Sequence, residues 1–91
     1  MSIGVEIYYP RLKELTGDPS ELRLEGATVG ECLDELERRF PGARRLLCDE
    51  RGIFRRQVFV HVNAESAAKP ALDTPLHDGD RLIIAALAVG G

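Results

Sequence analysis

The chain opens on a strict alternation. Ile3, Val5, Ile7 and Tyr9 are apolar, and Gly4, Glu6 and Tyr8 stand between them. A period of two is that of a strand with one buried face. Pro10 ends the run, and the following RLKELTGDPS reads as a loop pinned by Leu12 and Leu15, with turn chemistry at Gly17-Asp18-Pro19. Leu22 and Leu24 give a second short strand, with Arg23 and Glu25 facing the other way. The two strands are close enough in sequence to form a hairpin.

Thr28 opens the clearest element. Thr28-Val29-Gly30-Glu31 fits a capping box, in which the threonine hydroxyl takes a free backbone N–H and Glu31 reaches back. Val29, Leu33, Leu36 and Phe40 then recur at helical spacing with Cys32 beside them, and charged residues fill the other side. Pro41-Gly42 stops this helix, and a short helical turn through Ala43, Leu46 and Leu47 follows. Asp49–Gly52 is a loop.

Val58, Val60 and Val62 alternate with Phe59 and His61 as a third strand, and a turn begins at Asn63. Residues 64–76 are irregular, with a short edge strand among them and Leu72 and Leu76 as anchors. Asp78-Gly79-Asp80 is a tight turn into a last strand, 81–86, with Leu82 and Ile84 on one face. One main helix crossing a mixed sheet of four or five strands is an α+β roll. The pattern predicts a single domain over 1–91 with a flexible tail, 87–91.

Composition narrows the function. Ninety-one residues, 44% hydrophobic and 30% charged, fit one small globular domain. A net charge of −3 gives no general reason to expect nucleic acid or membrane partners. No apolar run approaches the ~18–20 residues of a membrane span. The first ten residues carry Glu6 and lack the basic segment of a secretory signal, so a cytoplasmic protein is expected. Cys32 and Cys48 are too few for a disulfide framework and read as reduced thiols, Cys32 in the core and neither a nucleophile. His61 and His77 have no carboxylates or thiols at ligand spacing, so both read as surface residues and no metal site is expected. With no phosphate-binding loop either, the chain does not read as an enzyme: no catalytic residue and no bound cofactor are expected.

Charge is unevenly spread. Residues 38–56 hold seven arginines against Asp49 and Glu50, a local +5 that leaves −8 for the rest. This stretch is either a solvated helix end and loop or a docking patch for an acidic partner. Nucleic acid fits it poorly, since the arginines are interleaved with few stacking aromatics, Phe54 among them.

The last five residues, Leu87, Ala88, Val89, Gly90 and Gly91, stand apart. Two glycines in a frayed end can mean nothing. They can also form a handle. Without Cβ atoms an extended tail threads a narrow channel into another protein's active site. The Gly91 carboxylate is a poor electrophile, but a mixed anhydride with AMP supplies a leaving group for attack by sulfur or nitrogen.

In this light the sequence resembles the ThiS/MoaD-like sulfur carriers. The resemblance rests on YYPRLKELTG (8–17), GATVGECLDEL (26–36), Phe40-Pro41-Gly42, VHVN (60–63), LHDGDRL (76–82) and Gly90-Gly91, in that order. It implies a ubiquitin-like β-grasp fold with the last strand central. It also implies that Gly91 is adenylated by an E1-like activating enzyme using ATP, then carries sulfur as a thiocarboxylate, with Gly90, Val89, Ala88 and Leu87 as the threading tail. The partners implied are that enzyme, a sulfur donor and an acceptor biosynthetic enzyme, around a carrier that is a monomer when free. Molybdopterin synthase small subunits carry a Phe-Phe-Pro-Pro-like segment before the tail, where this chain has Ile83-Ile84-Ala85-Ala86. The tail pattern is closer to the carriers of amino-acid biosynthesis, serving cysteine, homocysteine or related sulfur metabolites. A molybdopterin synthase subunit and a ubiquitin-like modifier conjugated through Gly91 are the alternatives, and a plain binding module is a third. In a β-grasp sheet the last two strands are neighbours. If their valines, Leu82 and Ile84 face the helix, then Phe59, His61, Ile83 and Ala85 form an outward patch on which the activating enzyme is expected to dock.

Overall fold

A computed structural model of the chain describes residues 1–19, 21–63 and 70–87. Its elements are β1 (Ser2–Tyr8), α1 (Pro10–Thr16), β2 (Leu22–Glu25), α2 (Val29–Arg39), α3 (Ala43–Leu47), β3 (Val58–Val62) and β4 (Arg81–Ala86). The sheet runs β2-β1-β4-β3. The outer pairs, β1–β2 and β3–β4, are antiparallel, and the central pair β1–β4 is parallel. Parallel neighbours require a crossover, and here everything between β1 and β4 supplies it. The expected β-grasp is the fold of the chain. Its sheet has four strands among the described residues, and the expected short edge strand amounts there to one isolated bridge, Thr28–Pro75.

α2 lies across the inner face of the sheet because its apolar stripe is continuous with the inward strand positions. Leu33 and Leu36 are fully buried, as are Ile3, Val60, Leu82 and Ile84 opposite. The Thr28 hydroxyl accepts from the Glu31 N–H at 3.1 Å. The Glu31 carboxylate accepts from the Ala27 N–H at 3.0 Å, one residue before the cap. Two more first-turn donors are satisfied by a strap of residues 72–76: Val29 N–H donates to the Thr74 carbonyl and Gly30 N–H to the Leu72 carbonyl. Leu76 N–H donates to the Ala27 carbonyl, and Leu76 is buried, as expected of an anchor.

The segment after Pro10 differs from its expectation. It is a helix, α1, with proline in the first turn, where a missing N–H costs nothing. Gly17 closes α1 at φ 78°, while the Asp18 N–H donates to the Lys13 carbonyl at 2.9 Å. Leu12 and Thr16, four residues apart, face inward. Leu15 lies off that stripe and is exposed, so it is no anchor.

Candidate functional site

β4 sits between β1 and β3, so its outward side chains have neighbours on both sides. Alternation buries Leu82 and Ile84 and turns Ile83 and Ala85 to the opposite, outer face. Register then sets two rows across that face. Ala85 lies between Tyr8 and Phe59, and Ile83 between Glu6 and His61. The four residues expected to form one patch are therefore together. Phe59 is 37% exposed, and His61, Ile83 and Ala85 are half-buried. His77 is exposed, whereas His61 is partly covered by the sheet around it.

Three members of the face come from the parallel pairing and were not among the expected site residues. Tyr8, 56% exposed, flanks Ala85 across from Phe59. With strands ~4.8 Å apart, the Tyr8 and Phe59 backbones stand roughly 10 Å apart, with the small Ala85 side chain as a notch between the two aromatic positions. The Tyr8 hydroxyl donates to the Glu6 carboxylate at 2.8 Å, and the Arg81 guanidinium pairs with the same carboxylate at 2.8 Å. The Arg81 hydrogen bond, then that of Tyr8, holds the Glu6 carboxyl below its ordinary range. The bond to Glu6 pushes the Tyr8 phenol up. The face is thus apolar beside the end of β4 and rimmed by a fixed ion pair towards its start.

The chain leaves this face at the centre of one sheet edge. Leu87 N–H donates to the Gln57 carbonyl at 2.9 Å, extending the β3–β4 ladder by one residue, and the Leu87 side chain is exposed. The expected tail residues Ala88, Val89, Gly90 and Gly91 lie outside the described residues.

Cys32 is fully buried, and burial pushes its thiol up to about 11. Cys48 is buried at the end of α3. Among the described residues no three His, Cys, Asp or Glu side chains are grouped to hold a metal. No helix among them is long and apolar enough to cross a membrane.

A family model described as the ThiS family matches residues 7–91. Solved structures agree. The BexX/CysO complex of Amycolatopsis orientalis matches at 33% identity and TM-score 0.76, over 98% of this chain and 99% of the other. CysO of Mycobacterium tuberculosis, described as an antigen, matches at 29% identity and TM-score 0.78, over 92% and 97%. The small archaeal modifier protein SAMP1 of Haloferax volcanii matches at 26% identity and TM-score 0.78, over the whole of both chains. No curated protein sequence matches the chain.

Proposed function

The chain belongs to the ThiS family, and from that premise we propose that it is a sulfur carrier activated at Gly91. The Gly91 carboxylate attacks the α-phosphorus of ATP in an E1-like enzyme, giving an acyl-adenylate and pyrophosphate. Hydrosulfide handed over by a sulfur donor then attacks the acyl carbon, the C–O bond to AMP breaks with AMP leaving, and loss of the S–H proton leaves a thiocarboxylate. That sulfur passes to an acceptor enzyme in the making of cysteine, homocysteine or a related sulfur metabolite. The chemistry of activation belongs to the partner, and this chain is its co-substrate.

The observation that carries the reading is that the family match spans residues 7–91 on a β-grasp whose central strand leads into the tail. The face bearing Tyr8, Phe59, Ile83 and Ala85 supports docking of the activating enzyme at the tail's root. The notch over Ala85 receives one apolar side chain of that partner, and the Glu6–Arg81 pair sets its polar margin. The likeness to a modifier protein favours one further reading, in which a lysine amine attacks the same adenylate and an isopeptide bond forms.

Deletion of Gly90 and Gly91 tests the reading. Pyrophosphate release from ATP by the activating enzyme is expected to require both glycines, whereas binding to that enzyme through the sheet face survives their loss. A cellular function of the chain that persists without them would leave a plain binding module.

A further inference from the structure

The arginines of the chain do not act as one patch. Arg23, Arg38, Arg44 and Arg81 pair with carboxylates of the chain, and Arg39 and Arg55 donate to its backbone carbonyls. Arg45 and Arg51 line an open groove beside α3, where Glu37, Asp49 and Glu50 balance the charge. Arg11 and Arg56 are left. Both are exposed, and among the described residues neither guanidinium has an ion pair or a hydrogen bond.

These two stand at one end of the sheet. β1 runs parallel to β4, with Tyr8 beside Ala85, so Arg11 follows β1 at the end where β4 runs out into the tail. β3 is antiparallel to β4, so Arg56, just ahead of β3, belongs to that same end. The bond from Leu87 N–H to the Gln57 carbonyl, 2.9 Å long, holds the chain's exit beside the residue that follows Arg56. The tail therefore leaves with an arginine to each side. Glu14 lines a small cleft with Arg11, and Lys13 offsets it on the same helix. Glu6 is already paired with Arg81. Among the described residues the exit end thus carries Arg11, Lys13 and Arg56 against Glu14, a surplus of positive charge in a chain whose net charge is −3.

Exposed guanidinium forks without partners in their own chain match carboxylates of another. Residues 88–91 extend at most ~13–14 Å beyond Leu87, so while Gly91 is at the ATP the root of the tail lies against the mouth of the enzyme's channel. We propose that Arg11 and Arg56, astride that root, dock on acidic residues rimming the tail channel of the activating enzyme. Rim charges of this kind speed encounter and select the partner without entering the chemistry. The proposal rests on the reading of the chain as a substrate of that enzyme, and two assays tell their failures apart.

Calorimetric titration of the enzyme with the carrier, without ATP, reads the arginines, and pyrophosphate release with ATP reads Gly91. Arg11→Glu with Arg56→Glu should raise Kd about tenfold or more at low ionic strength, and added salt should narrow the difference. Once the carrier is saturating, kcat for pyrophosphate release should be unchanged. Arg45→Glu with Arg51→Glu, the control in the balanced groove, should change Kd far less. If the first pair loses the dispersed spectrum of the folded domain, Arg11→Gln with Arg56→Gln carries the test, with a smaller loss of the same sign. An unchanged Kd, or an equal loss in the control pair, would overturn the proposal. Tighter binding by the reversed pair would overturn it too, as the arginines would then be holding the chain's own Gly91 carboxylate. A wild-type carrier that binds in a salt-dependent way through Arg11 and Arg56 but releases no pyrophosphate would sink the Gly91 reading and leave the docking contact standing. A wild-type carrier that does not bind the enzyme would overturn both.

Discussion

Replacing Gly26 with alanine tests how tightly the hairpin is locked to α2. A Cβ there would lie 2.8 Å from both the backbone nitrogen and the Sγ of Cys32. Neither side can retreat easily. Gly26 N–H is bonded to the Met1 carbonyl at 3.2 Å, and Cys32 is fully buried in a helix whose start is tied to Thr28 and the 72–76 strap. Overpacking of this kind costs ~1–3 kcal/mol. Reduced freedom of the unfolded chain returns ~0.4–1 kcal/mol, leaving a net loss of roughly 1–2 kcal/mol. At ~4–8 °C per kcal/mol for a domain of this size, Tm should fall by about 4–16 °C. Urea denaturation and calorimetry measure the loss, with Gly4→Ala as the control. The nearest atom to a Cβ at Gly4 is Arg81 Cγ at 3.8 Å, so that substitution should be neutral or mildly stabilising. In a Cys32→Ala background the Gly26→Ala penalty should shrink without vanishing, because the backbone nitrogen stays where it was. Equal Tm values for Gly26→Ala and Gly4→Ala would refute the reasoning.

Other predictions concern the cap, the thiol, the carboxylates and the outer sheet face. Thr28→Ala should cost ~1 kcal/mol in urea denaturation, through the lost bond to Glu31 N–H. The Cys32 thiol is raised from 9.0 to about 11, so the folded state keeps its proton longer than the unfolded chain does. Its contribution is whole below pH 9.0 and declines as pH rises towards about 11, and Cys32→Ala should flatten that alkaline limb. Glu6, Glu37, Asp49 and Asp80 are all held low by hydrogen bonds, so their contribution is present above the ordinary carboxylate range and lost on acidification. Asp49→Asn should accordingly reduce the acid dependence of Tm. Phe59→Ser with Ile83→Ser should lower kcat/KM of the activating enzyme for this carrier by about thirtyfold, the loss of a ~2 kcal/mol anchor, while the domain stays folded.

Much of this architecture was legible as period. The strands at 2–8, 22–25, 58–62 and 81–86 alternate in sequence, and Thr28 with Pro41-Gly42 bounds α2 by local chemistry alone. α1 was not legible as a helix because Pro10 reads as a stop as readily as a start, and only two inward residues, Leu12 and Thr16, mark its stripe. The strap at 72–76 has no period, since backbone carbonyls bonded to a helix start leave no side-chain signature. For the outer sheet face, alternation alone placed Phe59, His61, Ile83 and Ala85. Tyr8, Glu6 and Arg81 complete it, and their alternation was visible too. What was missing was the identity of β4's other neighbour, set by a parallel pairing between residues more than seventy positions apart.

The central claim is that Gly91 carries sulfur, and both cysteines are buried, which gives that claim a clean measurement. The untagged protein is isolated from its own cells and alkylated with iodoacetamide under native conditions, where Cys32 and Cys48 are shielded. Its intact and C-terminal peptide masses are then read. The account predicts a species with one Gly91 carboxylate oxygen replaced by sulfur, carrying the alkyl group at that residue. A Gly91 carboxylate that is unmodified in cells, and stays so with ATP, a sulfide donor and the activating enzyme, would contradict it.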